Sequence, residues 1–216
     1  MPVVALLSGG LDSATSFALA MKQHGGDVTP FHVIYGQRHG RETESARAIA
    51  NHARKTLQTV RVEMPIFGSA LTDPGVDVPT EGVDSTIVPV TYVPARNTFL
   101  LGLAASFAEG IHASEIWVGF NAIDYSGYPD CRPGFVNAIN NALAVGMKTP
   151  VRVVAPIITK TKKEIVALAQ ELGVPLHETW SCYQGGKDPC GVCDSCRIRE
   201  QAFTDLGMFD PAHARA

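Results

Sequence analysis

Short apolar runs that end in glycine, proline or serine alternate along this chain with longer segments whose apolar residues recur every three or four positions. The runs have strand character and the segments have helical character. "PVVALLS" (2–8) reads as a strand, and Ala14, Phe17, Ala18 and Met21 then keep helical spacing until Gly25 and Gly26 stop it. "TPFHVIYG" (29–36) predicts a second buried strand. Ala46, Ile49, Ala50, Ala53 and Leu57 mark a helix within 41–57, and "TVRVEMPI" (59–66) predicts a third strand. Beyond residue 96 the pattern gives helix 97–110, strand 114–120, helix 134–147, strand 151–157 and helix 161–173, the last opened by Thr161 and Glu164 at capping-box spacing. Strands separated by helices imply an α/β fold: a Rossmann-like, mostly parallel sheet with helices on both faces.

Two segments interrupt the alternation. Residues 68–95 carry Gly68, Pro74, Gly75, Pro79, Gly82, Pro89 and Pro94, a long connection of the kind that borders an active site. From residue 177 the pattern turns cysteine-rich and loop-like, so the chain is expected to divide into a main domain, 1–176, and a small metal-held segment, 177–216.

Composition narrows the function. With 45% apolar residues over 216 positions the chain is not disordered, and 18 basic against 21 acidic side chains, a net charge of −3, do not favour a face that grips nucleic acid. No apolar run approaches the length of a membrane span and no export signal is visible, so a cytoplasmic protein without a membrane partner is expected. Cysteines there stay reduced, and a cluster of them points to metal or catalysis. Cys190, Cys193 and Cys196 form C-x2-C-x2-C, with Cys182 eight residues before the first. Four thiolates fit a closed, tetrahedral, structural zinc site with one ion per chain, whereas an iron–sulfur cluster uses the same spacing. Zinc is preferred because the chemistry inferred below needs no electron carrier. Cys131 stands apart in "YPDCR" and reads as a small buried hydrophobe in preference to a nucleophile.

The sharpest local signal is "LLSGGLDS", 6–13, set between the first strand and the first helix. A glycine-rich loop there offers free backbone N–H groups at the positive end of a helix dipole, and Ser8 and Ser13 add hydroxyl donors, so the loop is expected to bind phosphate. Neither a Walker loop nor the dinucleotide fingerprint is present. Asp12 has two available roles, orienting a metal or capping the helix.

"SGGLDS" resembles the pyrophosphate-binding loop of the ATP pyrophosphatase superfamily, the PP-loop or adenine nucleotide alpha hydrolase-like proteins. Within it the chain resembles the 7-cyano-7-deazaguanine synthase family of queuosine biosynthesis through "SGGLDS" (8–13), "YGQRHGRE" (35–42), "VPARN" (93–97), "DYSGYPDCR" (124–132) and "SCY" with "CGVCDSC" (181–183 and 190–196). Ala95 departs from the glycine expected in the third of these. The resemblance implies a carbon–nitrogen ligase that turns 7-carboxy-7-deazaguanine and ammonia into the nitrile through adenylated acid and amide, using ATP and magnesium, and it implies a homodimer. It assigns ATP to Leu7, Ser8, Gly9, Gly10, Leu11, Asp12 and Ser13, and catalysis to Asp12, Ser13, Arg96 and Lys160. Arg38, and Asp124, Tyr125, Asp130 and Arg132 in the polar loop after the fourth strand, offer the acceptors, aromatic face and cations that a guanine-like acid wants. Another adenylating PP-loop enzyme, such as a tRNA-thiolating enzyme, would share the loop at 8–13 but not "DYSGYPDCR" with the cysteine quartet. A zinc module binding nucleic acid is disfavoured because Lys187, Arg197 and Arg199 are balanced by Glu178, Asp188 and Asp194.

Overall fold

A computed structural model describes residues 1–63, 68–80, 88–123 and 128–214. Five strands, β1 (Val3–Leu6), β2 (Val28–Ile34), β3 (Gln58–Arg61), β4 (Glu115–Trp117) and β5 (Arg152–Val154), form one sheet in the order β3-β2-β1-β4-β5. Every pairing is parallel, with Val3 beside Val28 on one side and Glu115 on the other. The helices are α1 (Leu11–Gln23), α2 (Arg41–His52), α3 (Arg96–Gly110), α4 (Pro133–Gly146), α5 (Lys162–Glu171) and α6 (Asp194–Thr204). Among the described residues no helix is long and apolar enough to cross a membrane.

Alternation along β1 separates two cores. Val3, Ala5 and Leu7 face a cluster with Phe17 of α1, Ile49 of α2, Ile165 of α5 and Phe203 of α6, while Val4 joins Leu101 and Ala104 of α3 and Val136 of α4 on the opposite face. Both faces of β1 are therefore dry, which is why the strand has no polar position. The sequence reading holds in kind, with two differences. The second helix stops at His52, because Arg54 adopts a left-handed φ of 55° and turns the chain before Leu57 can join. The cysteine-rich segment contains a real helix, α6, whose Ala202 and Phe203 lie in the core shared by α1 and α5.

Strand order reverses at β1, between β2 and β4. In an open parallel sheet that reversal leaves a crevice beyond the carboxyl ends, where two neighbouring connections leave in opposite directions.

Candidate active site

The crevice holds a cleft of about 260 Å³. The loop after β1 forms its floor. Gly9 has a φ of 96°, and a Cβ on it would lie 2.3 Å from the Glu42 carbonyl oxygen, so only glycine lets the loop press against α2. Gly119 does the same from β4, where a Cβ would sit 2.5 Å from the Ser13 amide. Held between these two approaches, α1 begins with Gly10 as its N-cap and with no side chain capping it. Its first amides are thereby left for an anion. The Ser8 amide and hydroxyl meet the Ser13 hydroxyl at 3.2 and 2.9 Å, which fixes the loop's curvature without using those amides.

Cations converge on the same floor. Lys162, first residue of α5, donates to both oxygens of Asp12 at 2.7 Å and lines the cleft. Asp12 is thus ion-paired and does not cap the helix. The capping box read from the sequence is present: Thr161 accepts from the Glu164 amide, and Glu164, held below the ordinary carboxylate range by the Thr161 amide, accepts in return. It starts α5 at Lys162. Lys160 lies before that start; its carbonyl accepts from Asn121, and its side chain is not in the cleft wall. Arg96 opens α3 behind Ala95, whose φ of 52° shows why glycine is the residue expected at that position. Burial works against the Arg96 charge, but the Tyr35 hydroxyl beside it, with Cys131 and Tyr128, more than offsets that and keeps the guanidinium protonated.

The remaining assigned residues divide. Leu7, Ser8, Gly10, Leu11 and Ser13 line the cleft with Asp12 and Arg96. Gly9 lies beneath it. Arg38 instead donates to the carbonyls of Ala70 and Val76 at 3.0 and 3.1 Å, holding the 68–80 connection, of which Leu71 reaches the cleft. Asp130 is buried, accepts from the Asn97 amide and side chain, and so anchors the start of α3. Arg132 is the N-cap residue of α4, outside the cleft wall. Asp124 and Tyr125 lie outside the described residues. Cys131 is buried and also forms cleft wall; burial and then Asp130 push its thiol up to about 11, and Asn97 donates to its sulfur at 3.3 Å. Glu42, which the sequence groups with Arg38 and His39 in "YGQRHGRE" as a contact for nucleotide or substrate, lines the cleft, and cleft residues that sequence reasoning passed over include Lys162, Trp180, Tyr183 and Arg199.

The four cysteines come together beside this cleft. The sulfurs of Cys182, Cys190, Cys193 and Cys196 all lie within 4.8 Å of one another, and Cys190 and Cys196 are 3.9 Å apart. A zinc tetrahedron with bonds of about 2.3 Å has edges of about 3.8 Å, so the set fits the ion. Backbone amides of Gln184 and Cys190 point at the Cys182 sulfur from 3.4 and 3.3 Å, and that of Cys193 at Cys190 from 3.4 Å, as thiolate ligands require. The cluster is tied to the floor by Trp180: its amide donates to the Gly9 carbonyl at 2.9 Å and its indole N–H to the Cys182 carbonyl at 2.8 Å, while the Arg41 guanidinium covers its ring at 4.6 Å.

A loop with free helix-start amides at the switch point of a parallel sheet, with cations converging and a four-cysteine cluster alongside, is the arrangement of an α/β enzyme. The chain belongs to the queuosine biosynthesis protein QueC family, whose model matches residues 2–207. Its relatives include 7-cyano-7-deazaguanine synthases from Microcystis aeruginosa, 45% identical over 94% of this chain and 91% of theirs, and from Nostoc, 47% identical over 98% and 96%. That of Picrophilus torridus is 46% identical over 96% and 89%. A solved U34-tRNA thiolase from Methanococcus maripaludis with its 4Fe–4S cluster matches 95% of this chain and 66% of its own at 14% identity, with a TM-score of 0.49.

Proposed function

We propose that this chain makes 7-cyano-7-deazaguanine from 7-carboxy-7-deazaguanine and ammonia, activating the acid and then the amide by adenylation with ATP. The observation that carries the reading is the uncapped start of α1, floored by Ser8 and Ser13 and flanked by Lys162 and Arg96. A carboxylate is a poor acyl donor because oxide is a poor leaving group. Its oxygen therefore attacks the α-phosphorus, pyrophosphate leaves into the loop, and ammonia displaces AMP from the acyl carbon. A second round activates the amide oxygen and expels it to leave the nitrile. Charge growing on pyrophosphate is met by the α1 amides, the two serine hydroxyls and the cations, donors preorganised where the charge appears. The hard oxygen donors Asp12 and Ser13 fit a magnesium ion, which when bound shields the phosphate oxygens. Asp130 acts through Asn97 by holding the start of α3, and therefore Arg96, in place. The zinc that the four thiolates suit is structural and fixes Trp180 against Gly9.

A homodimer in the cytoplasm completes the reading. The 14-residue helix α4 has no charged side chain and buries only Val136, while Val145 is 88% exposed, a composition suited to a second copy of the chain.

The test is product analysis. Purified enzyme with ATP should form AMP and pyrophosphate only when 7-carboxy-7-deazaguanine is present, and nitrile only when ammonium is added. ADP and phosphate as main products would overturn the adenylation chemistry.

A further inference from the structure

Ammonium is the form in which ammonia is supplied at neutral pH, and it has no lone pair to attack with. The cleft must therefore contain a base that takes a proton from the nitrogen donor. Among the described residues lining it, the carboxylates are Asp12 and Glu42, and Asp12 is already held through both oxygens by Lys162. His32 lines the cleft too, but its Nδ1 meets the Leu7 carbonyl at 2.8 Å and its Nε2 the Thr43 hydroxyl at 2.9 Å, so neither nitrogen faces a substrate. Cys131, Tyr35 and Tyr128 remain protonated because burial pushes each of them up, the thiol to about 11.

Glu42 is differently placed. It is the second residue of α2, half-buried, and its backbone is the surface against which Gly9 rests, so its distance from the loop is fixed. Arg96 faces it from α3, His39 from the turn before α2, and Tyr35 from the end of β2; the Asp12–Lys162 pair lies across the floor. Removal from water raises its carboxyl above the usual glutamate range against the pull of Arg96 and then His39. A carboxylate made more basic by desolvation is a better match to ammonium than an exposed one.

Resting on the proposed activation chemistry, we infer that Glu42 is the general base that binds ammonium in the cleft and converts it to the attacking ammonia. The carboxylate accepts one proton from ammonium. The freed lone pair forms the C–N bond at the acyl carbon, the bond from that carbon to the adenylate oxygen breaks, and AMP leaves with the electron pair. A second proton departs from the bonded nitrogen to water, and Glu42 returns the first to water, so each amide formed releases two protons.

Adenylation uses no ammonia, and this separates the two claims. In Glu42→Gln, ATP–pyrophosphate exchange dependent on 7-carboxy-7-deazaguanine should persist near the parent rate, while amide formation from ammonium falls by roughly 10²-fold or more. Hydroxylamine, which is already unprotonated at neutral pH, should restore product in the same variant. Glu42→Asp, which keeps the carboxylate but withdraws it by one methylene, should slow ammonium turnover and spare hydroxylamine turnover; it decides the matter if the glutamine variant misfolds. Equal loss with the two nucleophiles, or loss of exchange together with amidation in Glu42→Asp, would overturn the role of Glu42 alone. No exchange in the parent enzyme would overturn the activation chemistry and this role with it.

Discussion

Asp12 and Lys162 stand 150 residues apart in sequence and meet at 2.7 Å, with side chains 25% and 11% exposed. Partial exposure keeps the pair from being a large stabilising term, so its place on the cleft floor matters more than its contribution to folding. Asp12→Asn should keep the fold and lower kcat by roughly 10²-fold or more, and Lys162→Met should do the same; steady-state kinetics beside circular dichroism check both. Normal turnover in both would reduce the loop to a turn. The free amides at 8–13 were legible because two glycines between a strand and a helix leave backbone N–H groups uncapped whatever surrounds them. The lysine was not. Lys160, Lys162 and Lys163 look alike in sequence, and only the helix start at Thr161, together with Asn121 holding the Lys160 carbonyl, turns Lys162 toward α1.

Helix α6 is where sequence reasoning missed an element, and the cause is one residue. Arg199 sits in the middle of its buried face, 4% exposed, where the helical pattern calls for an apolar side chain. Asp210, 11 residues on, holds it at 2.7 and 2.9 Å, and the Thr179 hydroxyl and Leu176 carbonyl take its other donors. Such a charge is tolerable only with all of its partners, none of which announces itself locally. The cysteines, in contrast, were legible from spacing, since C-x2-C-x2-C brings sulfurs together at a helix start. Cys193 is the N-cap residue of α6 and belongs to the quartet, so cysteine cluster, helix and core are one unit. Cys193→Ser should lose metal and lower the melting temperature together, because binding free energy at such a site is also folding free energy. Cys131→Ser should keep its metal. Elemental analysis with thermal melts checks this, and metal loss from the Cys131 variant would move the ligand set.

Across the whole molecule, alternation of strand and helix foretold a parallel sheet with two covered faces, because only that arrangement buries runs such as "VVAL" on both sides. It did not foretell the order β3-β2-β1-β4-β5, which is set by how crossovers pack and which puts residues 8–13, 96, 119 and 162 around one crevice. The uncharged surface of α4 belongs to this scale too. The parent enzyme should sediment as two chains and Val145→Arg as one, and a parent that sediments as a single chain would remove the dimer. The bond from the Trp180 amide to the Gly9 carbonyl reaches from the cysteine cluster to the first loop, and it has a meaning in time. A ribosome delivers Gly9 early and Trp180 about 170 residues later, which at about 5–20 residues per second is a wait of roughly 10–35 s. Throughout that interval the nascent loop lacks its clamp. Ribosome-bound chains arrested before Trp180 should therefore be silent toward nucleotide, and the enzyme should switch on late and all at once, as its final segment folds back over its beginning.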